Sequence, residues 1–164
     1  MKKLVLLIVL VVGGVYLVGW INLSMNGSAR FLATMDQLLI EGRGEELCAR
    51  LHDDLRVSIH DHTTPAPIAI EGGKKEYCDY LETASKGMRV LGVSMQATRN
   101  DFTVEREWTH PWTARVRYYE ERTTTMSLAN VTIRSESDDK LTLVYTFGGV
   151  KLRSIESNAQ VVTD

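Results

Sequence analysis

The densest run of chemistry-bearing side chains is His60-Asp61-His62, with His52 and Asp53 a few residues earlier. In an extended segment His60 and His62 point to one face and Asp61 to the other. Two imidazoles so spaced suit a divalent metal, or one of them acts as a general base that a carboxylate orients. A zinc site normally takes three protein ligands, and outside the His52–His62 stretch His110 is the only other histidine. The competing interpretation is a solvent-facing strand end running into the proline-bearing stretch that follows.

Trp108 and His110-Pro111-Trp112 form the second cluster, either an aromatic lid or an exposed binding patch around a turn. Downstream, Arg115 and Arg117 alternate with Ala114, Val116 and Tyr118. If the apolar set faces the core, the arginines lie outward and pair across strands. If the faces are reversed, they line a pocket selective for an anion. Asp53 and Asp54 are adjacent, so along a strand they face opposite ways and do not make an acid/base pair. No serine has a G-x-S-x-G context, and no glycine-rich loop suited to phosphate follows a strand. No cofactor is expected.

Helical spacing predicts an amphipathic helix over 29–41, capped by Ser28, with Phe31, Leu32, Met35, Leu38 and Leu39 on one stripe. A short helix follows from Glu45 to about His52. The period then changes to two, with Leu55, Val57 and Ile59 alternating with Arg56, Ser58 and His60. The segment 62–73 holds Pro65, Pro67 and two glycines, predicting a loop with at most a short strand at 68–70. A third helix runs over 74–86, with Gly87 as its stop. Beyond it the chain reads as strands over 88–98, 102–108, 113–122, 124–135 and 141–155. The expected turns are Arg99-Asn100-Asp101 and Ser137-Asp138-Asp139-Lys140, with Gly148-Gly149 as a bulge in the last strand. Helices first and antiparallel strands afterwards predict an α+β domain whose three helices pack on one face of a curved antiparallel sheet.

Ahead of that domain, Lys2 and Lys3 precede an uncharged run over residues 4–21, and no further charge appears before Arg30. At about 1.5 Å per residue the run spans roughly 27 Å. It predicts a transmembrane signal anchor over 1–25, in contact with the lipid bilayer through residues 4–21, then a short linker over 26–29. The two lysines would hold the N-terminus in the cytoplasm and place the 30–164 domain in the periplasm of a Gram-negative inner membrane. Cleavage near Gly27-Ser28-Ala29 is the alternative.

Residues 30–164 carry 17 basic and 21 acidic residues, a net of −4, with no basic run, which argues against nucleic acid as a partner. The two cysteines, Cys48 and Cys78, either pair across a loop of about 30 residues or stay as buried thiols.

The stretch Glu45-Glu46-Leu47-Cys48-Ala49-Arg50-Leu51-His52-Asp53-Asp54-Leu55-Arg56-Val57, a short amphipathic helix feeding a strand, resembles the helix-to-first-strand passage of the nuclear transport factor 2-like (SnoaL-like) superfamily. The order of elements over about 28–156 resembles it as well. The resemblance implies a sheet curled into a cone around the helices, often with an apolar pocket, and dimerisation. It also implies that enzymes, such as ketosteroid isomerases and scytalone dehydratases, and non-catalytic domains are both open. The isomerases place an acidic base near the first strand, where Asp53 or Asp54 matches only loosely. They place a tyrosine donor on the first helix, and residues 28–41 contain none. An anchor followed directly by such a domain is similar to inner-membrane assembly components of type IV secretion systems.

Two functional expectations follow. The first is a non-catalytic, membrane-anchored binding and assembly domain meeting an envelope protein partner or a second copy through its sheet. The second is a small-ligand-binding protein or hydratase/isomerase-like enzyme using His60, Asp61 or Tyr118, with Trp108, Trp112, Arg115 and Arg117 as ligand contacts.

Overall fold

The structure, a computed structural model, describes residues 2–63 and 67–162. The side chains of residues 2–9, 12 and 15 lie outside that description, and so does Pro65 of the expected loop. Four helices precede or interrupt six strands: α1 (Lys2–Asn22), α2 (Met25–Ile40), α3 (Gly44–Ala49), β1 (Leu51–His62), β2 (Ile68–Gly72), α4 (Lys74–Leu91), β3 (Val93–Arg106), β4 (Thr113–Met126), β5 (Val131–Thr146) and β6 (Gly149–Val161). The strands form one sheet in the order β2-β1-β6-β5-β4-β3. The architecture is α+β, with one departure from the expected antiparallel sheet: β1 and β6 run parallel. Long helical and hairpin connections separate those two strands in the chain, so sequence adjacency carries no sign of their pairing.

The core lies between the helices and the inner sheet face. Phe31, Leu32 and Leu38 of α2, Leu47 of α3, and Tyr77 and Leu81 of α4 pack on Leu55, Val57, Ala114, Val116, Leu141, Leu143 and Leu152. Register shifts between Asn100 and Thr103 in β3, and between Thr142 and Leu143 in β5, bend the sheet around them.

Several boundaries differ from the sequence expectation for identifiable reasons. Ser24 caps α2, its hydroxyl accepting from the Gly27 amide at 3.2 Å, so residues 26–29 are helix and Ser28 is buried within it. Arg99-Asn100-Asp101 is a bulge, with Asp101 at φ 51°, inside one continuous strand. Residues 137–140 run straight through β5, while Phe147-Gly148 makes the true hairpin turn before β6.

Gly87 does not stop α4; the helix continues to Leu91, and Gly92 ends it in the left-handed conformation at φ 61°. A Cβ at Gly92 meets only Ser127 Cβ at 3.7 Å, so alanine there carries a purely conformational penalty. Gly92→Ala is therefore expected to destabilise by about 1–2 kcal/mol. A Cβ at Gly87 meets nothing within 4 Å, and Gly87→Ala should stabilise by about 0.5–1 kcal/mol. Urea melts of the two variants check the opposite signs.

Among the described residues no helix is long and apolar enough to cross a membrane. That corrects the expected transmembrane helix, the signal anchor and the inner-membrane, periplasm-facing placement. One face of the run's distal end instead packs on protein. Arg106 Nη1 donates to the Trp20 carbonyl at 2.8 Å, and its guanidinium carbon lies 3.7 Å from the Trp20 ring centroid. Trp20 also meets Trp108 at 5.8 Å between centroids, and Leu23 is wholly buried. Gly19 packs so closely on Trp112 that a Cβ would lie 2.6 Å from the indole Cδ1. An arginine and two further indoles thus occupy the end of a segment that a span would present to lipid.

Candidate functional site

Alternation along β4 decides what faces inward. Ala114, Val116, Tyr118 and Glu120 are buried, and Arg115 and Arg117 are exposed on the opposite, outer face. The inner set ends in charge. Glu120 is 1% exposed, and its carboxylate lies between two arginines. Arg122 Nε donates to Glu120 Oε1 at 2.7 Å, and Arg99 Nε faces Glu120 Oε2 at 2.7 Å without hydrogen-bond alignment. Arg99 also donates to Asp36 of α2, whose other carboxylate oxygen is 4.0 Å from Arg122.

Burial opposes the Arg99 charge, but the facing carboxylates of Asp36 and Glu120 more than offset it and raise its pKa. Arg122 moves the same way: burial opposes its charge, and Glu120 and Asp36 together outweigh it. Beside them Tyr118 stacks on Phe102 at 5.6 Å between centroids, with the Arg99 guanidinium 5.4 Å from its ring. Burial, and then the negative charge of Asp139 and Glu120, pushes the Tyr118 phenol well above its ordinary range. Burial raises Tyr77 similarly. Asp139, 6% exposed, accepts a hydrogen bond from Ser137 at 2.9 Å. This network escaped the sequence reading because its members lie on α2, β3, β4 and β5. The only local signal was Glu120 in register with Ala114, Val116 and Tyr118, a carboxylate on an otherwise core-facing set.

Its chemistry is that of a closed account between charges. Two guanidiniums bind two carboxylates, and Tyr118 is held neutral far above neutral pH. Arg99 and Arg122 line an open cleft of about 400 Å³ between α2 and β3, with Asp36, Gln37 and Met95.

The expected site residues are dispersed. His60 and His62 are exposed on the outer side of β1, and Asp61 faces the other way. His60 Nε2 lies 3.9 Å from Glu71 of β2. Among the described residues no group of three or more His, Cys, Asp or Glu side chains is arranged to hold a metal ion. Tyr118 sits on β4, three strand spacings from β1, so His60, Asp61 and Tyr118 do not converge. Trp108 is 82% exposed in the β3–β4 connection, and His110 faces Glu107 at 3.4 Å. Trp112 lines an apolar groove of about 560 Å³ with Tyr145, Phe147 and the α1 residues Leu10, Val11 and Val18. Phe147 at the β5–β6 turn is fully exposed. Cys48 of α3 and Cys78 of α4 are joined as a disulfide, with Cα atoms 5.4 Å apart.

The outer sheet face is polar throughout its centre. One cross-strand row reads Arg56–Ser154–Thr142–Arg115–Glu105, and the next reads Ser58–Glu156–Lys140–Arg117–Thr103. Such a surface lacks the charge-depleted core of a strong protein interface.

No protein-family model and no curated protein matches the sequence. Solved structures do resemble it in three dimensions. A scytalone dehydratase-like protein from Novosphingobium aromaticivorans superposes with a TM-score of 0.61 at 18% identity, over 85% of this chain and 84% of that one. An NTF2-like protein with a cystatin-like fold from the same organism gives 0.55 at 16% identity, over 79% and 77%. The beta subunit of benzoate 1,2-dioxygenase from Burkholderia mallei gives 0.63 at 10% identity, over 85% and 91%. These likenesses carry the fold: the chain adopts the nuclear transport factor 2-like, SnoaL-like α+β architecture.

Proposed function

We propose that this chain is a non-catalytic binding and assembly domain that docks a protein partner through its apolar end. The observation that carries the proposal is the groove in which Trp112, Tyr145 and the fully exposed Phe147 meet α1. Leu10, Val11, Leu17, Val18 and Ile21 of α1 are exposed beside it, between 43% and 66%. Contiguous apolar surface with aromatic anchors marks interaction sites, and Trp and Tyr dominate binding energy there. The polar outer sheet face suits such a partner core less well, which moves the expected contact from the sheet to the α1 end. The interior supports the same reading in that the buried Glu120 carboxylate is matched by Arg99 and Arg122. A dioxygenase beta subunit among the structural likenesses is an instance of this fold serving as a component of a larger assembly.

The competing reading is small-ligand binding or hydratase- or isomerase-like chemistry in the cone. It draws on Asp139 buried beside Tyr118.

A photo-crosslinking amino acid placed at Phe147 in cells tests the proposal. The expected result is one discrete adduct, at a partner's mass or at twice the chain's own, that Trp112→Glu abolishes and His60→Ala leaves intact. No adduct from Phe147 would sink the reading. So would a measurable activity lost in His60→Ala or Asp139→Asn with an unchanged circular dichroism spectrum.

A further inference from the structure

The outer face of the sheet holds cations that nothing in the fold uses. Arg56 on β1, Arg153 on β6 and Arg117 on β4 are exposed, and no other described side chain pairs with them. Arg56 and Arg153 line a trough of about 700 Å³, and Arg56 and Arg117 line an adjoining one of about 350 Å³. The two share Arg56, Arg115, Thr142 and Ser154, so they form one continuous channel across four strands. Its floor is hydroxyl-lined: Ser154 Oγ donates to Thr142 Oγ1 at 2.7 Å. The β5–β6 register shift brings consecutive residues, Arg153 and Ser154, to the same trough.

Spacing decides what such a channel takes. Arg56 and Arg117, both unpaired, stand three strand intervals and one same-face step apart, about 16 Å. A single phosphate or carboxylate does not bridge that gap. Along an extended peptide, same-side groups recur about every 6.8 Å, so carboxylates at i and i+4 do bridge it. Guanidinium forks grip carboxylates with two parallel N–H donors, and the floor hydroxyls serve the backbone between them. Acidic side chains flank the channel at both sides, and Glu156 within it is paired with Lys140 at 3.5 Å. Glu107 holds Arg115 at 3.0 Å, Asp54 lies 3.8 Å from His52, and Glu105 is in register with Arg115. They interrupt the path that a continuous phosphate backbone, with a charge at every step, would need.

We infer that this channel is a second contact surface, taking an extended acidic segment of a protein partner across strands β1, β6, β5 and β4. The inference rests on the partner-binding reading above and adds the chemistry of what is bound. The apolar end supplies the anchor, and the arginine channel selects for carboxylates.

Fluorescence anisotropy of the full chain with a fluorescein-labelled eight-residue peptide alternating Glu and Ser tests it. A Lys-Ser peptide and a single-stranded oligonucleotide of thymidines serve as comparisons. The acidic peptide should bind best, and affinity should fall with added salt. The exposed triple substitution Arg56→Glu, Arg117→Glu, Arg153→Glu should weaken it by roughly tenfold or more, as the loss of three exposed ion pairs implies. Circular dichroism and melting of the triple variant confirm its fold. The reverse pair, triple variant with Lys-Ser peptide, should gain affinity. Tighter binding of the oligonucleotide, or an acidic peptide indifferent to the triple substitution, overturns the inference. If that happens while the Phe147 adduct persists, only the channel assignment fails; loss of both results removes the partner-binding reading as well.

Discussion

Replacing Glu120 with alanine is expected to destabilise the fold by about 3–5 kcal/mol, the characteristic cost of removing one member of a buried ion pair. Glu120 is 1% exposed and the side chain of Arg99 only 15%, so water reaches the guanidiniums from the cleft side alone and replaces the lost carboxylate poorly. The alanine variant leaves Arg99 with Asp36 alone and Arg122 with an Asp36 oxygen 4.0 Å away. At about 2–4 °C per kcal/mol for a chain of this size, the melting temperature should drop by roughly 6–20 °C. Glu120→Gln keeps the shape and some hydrogen bonding but not the charge, and should fall between alanine and the parent. Thermal melts and urea titrations of both variants give the ordering. A Glu120→Ala variant within about 0.5 kcal/mol of the parent would mean that the carboxylate is dispensable to the fold.

The same site separates structure from chemistry. Where a buried pair is structural, exchanging both partners for apolar groups recovers much of the loss, because the desolvation cost leaves with the charges. The double variant Arg99→Met, Glu120→Leu should therefore be more stable than Glu120→Ala alone. Its coupling energy comes from the two single variants in a double-mutant cycle. The partner-binding reading further requires that the Phe147 adduct form in any of these variants that folds. Tyr118 adds a sign for pH. Its folded pKa is raised, so the neutral phenol is the form the fold accommodates. That stabilising preference is complete below the unfolded value of about 10 and lost as pH rises through the folded value.

Period and propensity made the helices, the two-residue rhythm of β1 and the α+β order legible in the sequence. Where the rhythm broke, residue type misled. Arg99-Asn100-Asp101 has turn composition, yet Asp101 takes a positive φ inside a bulge, a use of Asp that local sequence does not separate from a hairpin. Ser137-Asp138-Asp139-Lys140 also reads as a turn. Two of its members, Ser137 and Asp139, face the interior, where the neighbouring charges make a polar strand tolerable. Gly148-Gly149 was expected inside a strand; Gly148 forms the turn with Phe147, and Gly149 opens β6. The face of Arg115 and Arg117 followed from alternation with Ala114, Val116 and Tyr118. The charged interior did not, since Asp36, Arg99, Glu120 and Arg122 belong together only after the sheet forms. Length and hydropathy pointed residues 4–21 toward a bilayer; the docking of Trp20 on Arg106 and Trp108 is a tertiary fact with no trace in either.

The disulfide carries the last large effect. α3 has six residues, too few to be stable on its own hydrogen bonds, and is held in place by Leu47 in the core and by Cys48. Bonding Cys48 to Cys78 closes a loop with a sequence separation of 30 that contains all of β1 and β2. In the chain-entropy account, closing such a loop in the unfolded ensemble stabilises by about 3–4 kcal/mol. The Cys48→Ser, Cys78→Ser variant should show that loss in urea titration, and reductant should produce the same shift in the parent but not in the variant. The loss should not spread evenly. β2 pairs only with β1 and is the sheet's edge beside the closed loop. Its amides should gain hydrogen exchange before those of β4 and β5, which carry ladders on both sides. A uniform rise in exchange across all six strands would place the disulfide's effect wholly in the unfolded state. Equal stability of parent and variant would instead mean that the packing of Leu47 and Leu81 alone fixes α3 against α4.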